Sequence, residues 1–152
     1  MKKILVIEDE QDARMVLVRR LQSHRFEVLQ AADGEAGLAE ARRAAPDLIV
    51  LDVMLPAQDG MQVYQALRED PATREVPVLF LTAVSSGLPM SDQSMELLAR
   101  AKHGAKMTGR FAVMTKPYGA PELITRIREL LEPEQGQPAQ AQPGKRQQEG
   151  RG

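Results

Sequence analysis

Acidic and polar side chains stand directly after short apolar runs at several places in the sequence. These side chains belong to Glu8, Asp9, Asp52, Thr82 and Lys116. In an open parallel sheet, ligands bind beyond the carboxyl ends of the strands. If the apolar runs are neighbouring strands, these side chains therefore meet at one edge of the sheet.

These residue types together suit the transfer of a phosphoryl group. Carboxylates that lie close together repel one another, so one must bind a proton or the group must bind a cation. All-oxygen ligation favours a hard ion such as Mg²⁺. With Mg²⁺ bound, Asp52 stays ionised and can act as a nucleophile. Lys116 then supplies a positive charge and Thr82 a hydroxyl for the oxygens of the transferring group.

Each of these residues also has an ordinary structural interpretation. A single acid after a strand is usually part of a turn or a helix cap. Lys116-Pro117 alone would usually be a surface turn, and Thr82 alone a strand or loop hydroxyl. The functional interpretation is favoured because the required groups occur together, at separate strand ends.

The elements that position these residues are predicted from the alternation of apolar runs with amphipathic stretches. Strands are expected over 4–7, 26–29, 48–52, 76–81 and 111–114. Helices are expected over 12–23, 34–43, 60–69, about 91–103 and about 121–131. Asp33 is placed to cap the second helix, Gly104 to end the fourth, and Pro121 to lie in the first turn of the last. Strands that alternate with helices predict a doubly wound α/β fold, a parallel sheet with helices on both faces.

The composition excludes several kinds of site and partner. The chain has 152 residues, which suits one domain, and no cysteine, which excludes disulfides and thiol chemistry. Its 21 acidic and 20 basic residues nearly balance, which gives no field that favours nucleic acid or an anionic membrane. No apolar run approaches the roughly 20 residues of a membrane span, and no signal peptide is evident. We therefore expect a soluble, cytoplasmic protein.

The segment 133–152 differs in composition from the rest of the chain. It contains six Gln, four Gly and three Pro, and no Val, Ile, Leu, Met or aromatic residue. Such a segment cannot bury enough apolar surface to offset its chain entropy. We predict a folded domain over 1–132 and a disordered tail over 133–152.

Four blocks of the sequence contain the candidate site residues. They are 4–10 (ILVIEDE), 48–56 (LIVLDVMLP) followed by Asp59-Gly60, 77–83 (PVLFLTA) and 115–118 (TKPY). Together they resemble the bacterial response-regulator receiver family, including its chemotaxis-type, single-domain members. The resemblance covers about residues 2–132. It implies a receiver domain with a five-stranded sheet in the flavodoxin-like strand order 2-1-3-4-5.

The resemblance also implies a set of Mg²⁺ ligands. Asp9 and Asp52 would bind the ion directly, Glu8 would assist directly or through water, and the backbone carbonyl of Met54 would complete the protein ligands. Glu8 stands where the family more often has aspartate. The extra methylene is expected to alter the geometry while binding survives, with a weakened metal site as the alternative.

For the phosphoryl group, the resemblance implies that Asp52 is the acceptor and a phosphohistidine on a sensor kinase the donor. Lys116 would pair with the phosphoryl oxygens. Thr82 would move to hydrogen-bond to them, with the small Ala83 leaving room. The domain would itself catalyse the transfer and a slow hydrolysis.

The stretch between Thr82 and Lys116 departs from the family pattern. It is longer than usual, and Val113 stands where the family usually has tyrosine or phenylalanine. Phe111 lies two residues earlier and so potentially on the same strand face. Either Phe111 replaces the usual switch aromatic or it is a plain core residue, and signalling could instead pass through the segment 105–110.

The leading hypothesis is a stand-alone response regulator in a two-component phosphorelay. It would receive its phosphoryl group from a histidine kinase or phosphotransfer protein and would signal by phosphorylation-dependent contact with an unknown protein. The alternative is a constitutive docking module without a phospho-switch.

A Mg²⁺-dependent phosphohydrolase is disfavoured, because Met54 stands where such enzymes need a second carboxylate. A flavodoxin-like cofactor site is disfavoured, because Glu8, Asp9 and Glu10 would repel phosphate.

Overall fold

The computed structural model describes residues 1–53, 60–83, 111–116 and 118–132, with the side chains of Thr82 and Ala83 left out. Several sequence predictions lie outside the described residues. They are the Met54 carbonyl, the helix 91–103 with its end at Gly104, the segment 105–110 and the tail 133–152.

A five-stranded sheet runs through the centre of the described structure. Its strands are β1 (Lys3–Ile7), β2 (Glu27–Ala31), β3 (Leu48–Asp52), β4 (Val78–Ala83) and β5 (Phe111–Lys116). All neighbouring pairs are parallel, and the order across the sheet is β2-β1-β3-β4-β5. The predicted fold class and strand order are confirmed.

Four helices lie in the described part of the chain: α1 (Gln11–Ser23), α2 (Gly34–Ala44), α3 (Gly60–Glu69) and α4 (Ala120–Leu131). Their buried apolar residues form two clusters on opposite faces of the sheet. α1 and α4 contribute to one cluster, and α2 and α3 to the other. Among the helices that the structure describes, none has both the length and the apolarity that crossing a bilayer requires.

The central strands are apolar along their whole length because helices cover both of their faces. All residues of β3, and Ile4 to Ile7 in β1, are buried. Successive side chains point to opposite faces, so Val6 packs in the cluster with α1 and α4, whereas Ile7 packs in the other. Packing on both faces holds these strands, and with them the residues that follow, in fixed positions.

Side-chain caps hold the first turns of α1 and α2. Glu10 Oε1 accepts a hydrogen bond from the Ala13 backbone N–H at 3.1 Å, and Asp33 Oδ1 accepts one from Ala36 at 2.7 Å. The Asp33 cap was predicted from the sequence. The Glu10 cap was not, because three acids in a row follow β1 and the pattern does not indicate which of them caps the helix.

Three strands extend further toward the carboxyl edge than the apolar pattern indicated. β2 was predicted over 26–29 but runs over 27–31, and β4 was predicted over 76–81 but runs over 78–83. β5 was predicted to end at Met114 but runs to Lys116. The ladder continues, with Thr82 opposite Thr115 and Ala83 opposite Lys116. Backbone hydrogen bonds need no apolar side chain, so apolarity alone underestimates strand length.

Gly60 begins α3 in close contact with the end of β3. Its N–H donates to the Val53 carbonyl at 2.8 Å. A Cβ at this position would lie 2.7 Å from Val53 Cα and 2.9 Å from the Asp52 carbonyl oxygen. Both neighbours are backbone atoms, so only glycine lets α3 approach the peptide that carries Asp52.

We predict that Gly60→Ala lowers the free energy of unfolding by about 1–3 kcal/mol, because backbone must shift to admit the methyl group. Equilibrium urea unfolding measures the change. Gly119→Ser is the control, since among the described residues a Cβ there meets Pro121 Cδ at an ordinary contact distance of 3.6 Å, and serine is a favoured N-cap for α4. A Gly60→Ala protein as stable as the control would contradict the steric argument.

Candidate functional site

Side chains from the ends of β1 and β3 form an acidic cluster at the carboxyl edge of the sheet. Carboxylate oxygens of Glu8, Asp9 and Asp52 all lie within 4.8 Å of one another. Glu8 is 2% exposed and Asp52 is 5% exposed, whereas Asp9 is open to solvent. The sequence prediction that these residues meet at one edge agrees with this arrangement.

Lys116, the last residue of β5, reaches two of these carboxylates. Its Nζ lies 3.3 Å from Glu8 Oε1 and 3.4 Å from Asp52 Oδ2. The Lys116 side chain is 31% exposed, and the carboxylates that it contacts are buried. A single ammonium group is therefore shared between the ends of β1 and β3.

The ionisation of Lys116 follows from opposing effects. Burial disfavours its charged form, but the attraction and hydrogen bonds of Asp52 and Glu8 outweigh burial. The pKa of Lys116 is consequently raised above its ordinary value, and the side chain is a cation at neutral pH.

Local hydrogen bonds orient the Glu8 side chain. The Glu8 N–H donates to the Ala31 carbonyl at 3.1 Å, which continues the β1–β2 ladder by one residue. Glu8 Oε2 accepts the Glu10 N–H at 3.2 Å, while Oε1 faces Lys116. Both carboxylate oxygens therefore have defined directions in the structure.

The cluster has the donor set and the charge for a divalent cation. If all three carboxylates are ionised, Lys116 offsets one of their charges, and within the described part of the chain the cluster keeps an excess of negative charge. Carboxylate oxygens are hard ligands that suit Mg²⁺. Since Glu8 and Asp52 are nearly removed from water, a bound cation would relieve repulsion that solvent screens weakly.

The structure brings the backbone of Thr82 to the same edge of the sheet. Thr82 pairs with Thr115 in the ladder, one position before Ala83 pairs with Lys116. The position of the residue thus agrees with the expectation that its hydroxyl serves the site.

The switch candidates Phe111 and Val113 lie on one face of β5, away from the carboxyl edge. Phe111 is opposite Val78, four ladder positions from Thr82 and so roughly 13 Å away along the strand. Its ring packs against Phe80, with centroids 6.2 Å apart. Val113 is opposite Phe80 and joins the same core cluster. These contacts fit the plain-core interpretation of Phe111, and a switch role for either residue stays a prediction.

Arg14 lies beside the site although the sequence did not indicate it as a site residue. Its Nη1 donates to the Glu8 carbonyl at 2.8 Å, directly beside the acidic cluster. In the sequence it appeared only as a polar position on an amphipathic helix. The available signal was its place four residues after Glu10, in the first turns of the helix that follows the acids.

Residues 4–128 match the response regulator receiver domain family, and the chain belongs to that family. The probable transcriptional regulator ycf27 of Porphyridium aerugineum is 39% identical over 132 residues, which are 86% of this chain and 48% of that protein. The chain thus spans about half the length of this curated relative.

Solved structures show the same fold. The chemotaxis protein CheY4 of Vibrio cholerae matches with a TM-score of 0.69 and 26% identity, over 86% of this chain and 98% of that one. The receiver domain of the sensor histidine kinase PA1611 of Pseudomonas aeruginosa matches with a TM-score of 0.71 and 25% identity, over 86% and 97% of the two chains. That structure has a magnesium ion coordinated in its active-site cleft.

We predict that Lys116→Met destabilises the Mg²⁺-free protein by about 1–3 kcal/mol, because Glu8 and Asp52 then lose the cation that offsets their repulsion. Added Mg²⁺ should stabilise this variant more than the wild type, since no ammonium group competes for the carboxylates. Urea unfolding in EDTA and in Mg²⁺ measures both effects.

The control for this prediction is Arg43→Met, which removes an exposed ion pair with Glu40 on α2. Exposed pairs contribute little, so a change below about 0.5 kcal/mol is expected, with the Mg²⁺ response of the wild type. If Lys116→Met behaved like Arg43→Met, Lys116 would not hold the charge balance of the cluster.

Proposed function

We propose that this chain is a Mg²⁺-dependent phosphoryl acceptor in a two-component phosphorelay, with Asp52 as the acceptor. The observation that carries the proposal is the contact of Lys116 Nζ with Asp52 Oδ2 at 3.4 Å, inside the cluster formed with Glu8 and Asp9. The receiver domain is proposed to extend over residues 1–132, with 133–152 as a tail.

The surroundings of the carboxylates favour Asp52 as the nucleophile. Glu8 Oε2 accepts the Glu10 backbone N–H, while Lys116 contacts both Glu8 and Asp52. Asp9 is exposed and follows the end of β1. Asp52 ends a strand that is buried throughout, which holds its carboxylate in a defined place for attack.

The proposed ligands of Mg²⁺ are Asp9 and Asp52, with Glu8 assisting and the Met54 carbonyl completing the set. The ion would supply a positive charge that offsets the charge on the transferring phosphoryl oxygens. The carboxylates of this chain fit that role by donor type, by spacing and by their excess negative charge.

In the proposed transfer, an Asp52 oxygen forms a bond to phosphorus while the bond from phosphorus to a histidine nitrogen of the donor breaks. The donor imidazole keeps the electron pair of that bond. Lys116 pairs with the phosphoryl oxygens, and the Thr82 hydroxyl donates a hydrogen bond to them. Slow hydrolysis of the acyl phosphate by water restores Asp52.

We propose a sensor histidine kinase or a phosphotransfer protein as the donor. For the output, we propose that the chain acts as a stand-alone regulator, through phosphorylation-dependent contact with another protein and not through direct contact with nucleic acid. The near balance of acidic and basic residues supports this output, because it gives the chain no basic field for a phosphate backbone.

Intact-mass measurement after incubation with acetyl phosphate and Mg²⁺ tests the proposal. We expect the wild type to gain the mass of one phosphoryl group and to gain none in EDTA. Asp52→Asn should gain none, because an amide is not a nucleophile under these conditions.

Asp12→Asn is the matched control, since Asp12 is an exposed acid in the first turn of α1 outside the cluster. This variant should be phosphorylated like the wild type. Incorporation that persists in Asp52→Asn would show that another residue is the acceptor. A wild type that binds Mg²⁺ but gains no mass would favour the docking-module alternative.

A further inference from the structure

Arg14 links the first turns of α1 to the ends of two strands. Its Nη1 donates to the Glu8 carbonyl at 2.8 Å, and its Nε donates to Gln30 Oε1 at 3.0 Å. Glu8 follows β1 directly, and Gln30 lies near the end of β2. The planar guanidinium carries these donors in a fixed relation, so the contacts together define its position.

The Glu8 carbonyl belongs to the same planar peptide as the Asp9 N–H. Holding this carbonyl fixes the plane of the peptide, and with it the directions in which the Glu8 and Asp9 side chains leave the backbone. On the other side of Glu8, its N–H is held by the Ala31 carbonyl. Arg14 therefore supplies the restraint on the side toward Asp9, where the ladder has ended.

The base of Arg14 is itself fixed. Its backbone N–H donates to the Glu10 carbonyl at 2.9 Å, as in the first turn of a helix, and the Glu10 side chain caps that turn. The Arg14 side chain is half-buried. The backbone of Arg14 is thus fixed in the first turns of α1, and its half-buried side chain has limited freedom to move.

We propose that Arg14 is a positioning residue for the metal site, acting through the Glu8–Asp9 peptide. This inference rests on the proposed function, because it assumes that the acidic cluster binds Mg²⁺. No direct contact between Arg14 and the ion is involved.

Arg14 can affect Mg²⁺ affinity in two ways, through its positive charge and through the position in which it holds the Glu8–Asp9 peptide. A guanidinium beside a cation site repels the cation, so by electrostatics alone its removal would tighten Mg²⁺ binding. If Arg14 positions the ligands, its removal weakens Mg²⁺ binding, because the Glu8 and Asp9 side chains lose their defined directions. The two effects therefore change the Mg²⁺ affinity in opposite directions.

The experiment measures Mg²⁺ affinity by isothermal titration calorimetry for the wild type, Arg14→Met and Arg14→Lys. We expect both variants to bind about tenfold more weakly, as is typical when a residue that orients metal ligands is lost. Lysine keeps the charge, but one ammonium group lacks the planar fork that reaches both acceptors. Rescue by lysine would therefore overturn the geometric argument.

Three further variants control for indirect effects. Arg42→Met removes an ion pair between α2 and Asp70, the residue that follows α3, and should leave Mg²⁺ affinity within about twofold of the wild type. Gln30→Met removes one acceptor of Arg14 and should weaken binding less than Arg14→Met does. The double variant Arg14→Met/Gln30→Met should match Arg14→Met alone, because Gln30 acts through Arg14. Thermal unfolding of each variant shows whether the fold is intact.

The outcomes separate the two proposals. If the wild type binds Mg²⁺ and Arg14→Met binds equally or more tightly, Arg14 is not a positioning residue and the proposed function stands. If the wild type does not bind Mg²⁺, or Asp52→Asn binds it unchanged, the proposed metal site itself is wrong, and the inference about Arg14 falls with it.

Discussion

Mutual repulsion among carboxylates at one sheet edge is the constraint on which the site depends. Glu8 and Asp52 are almost fully buried, and with Asp9 their oxygens lie within 4.8 Å of one another. Such an arrangement persists only if one carboxylate binds a proton or positive charge is close by. Lys116 supplies part of it, through ion pairs to Glu8 and Asp52. The remaining negative charge suits a hard cation, and the proposed Mg²⁺ with Lys116 beside it would suit a phosphoryl group.

The sheet and its flanking helices hold the carboxylates of the cluster and Lys116 in their positions. The parallel strands end at the same edge of the sheet, so residues far apart in the sequence meet there. Gly60 lets α3 approach the backbone of Asp52, where any side chain would meet backbone atoms. On the other side of the cluster, Arg14 holds the Glu8 carbonyl from α1. These two backbone contacts restrain the orientation of the Asp52 and Glu8 side chains.

The sequence alone predicted much of the fold and the composition of the site. Apolar runs that alternate with amphipathic stretches indicated the strands, and the positions of Glu8, Asp9, Asp52 and Lys116 at strand ends agree with the cluster in the structure. Strand ends were less accurate, because a ladder continues through polar residues. Arg14 was not predicted, since its contacts are with a carbonyl and an exposed amide outside its own helix, and its place four residues after Glu10 is a weak signal.

A structure of the protein with Mg²⁺ and beryllofluoride, which stands in for the phosphoryl group, tests the central claim most directly. The account predicts beryllium on a carboxylate oxygen of Asp52, and Mg²⁺ at about 2.0–2.1 Å from oxygens of Asp9 and Asp52. Lys116 Nζ should lie within hydrogen-bonding distance of a fluorine atom. Beryllofluoride bound elsewhere, or a metal ion that does not contact Asp52, would contradict the account.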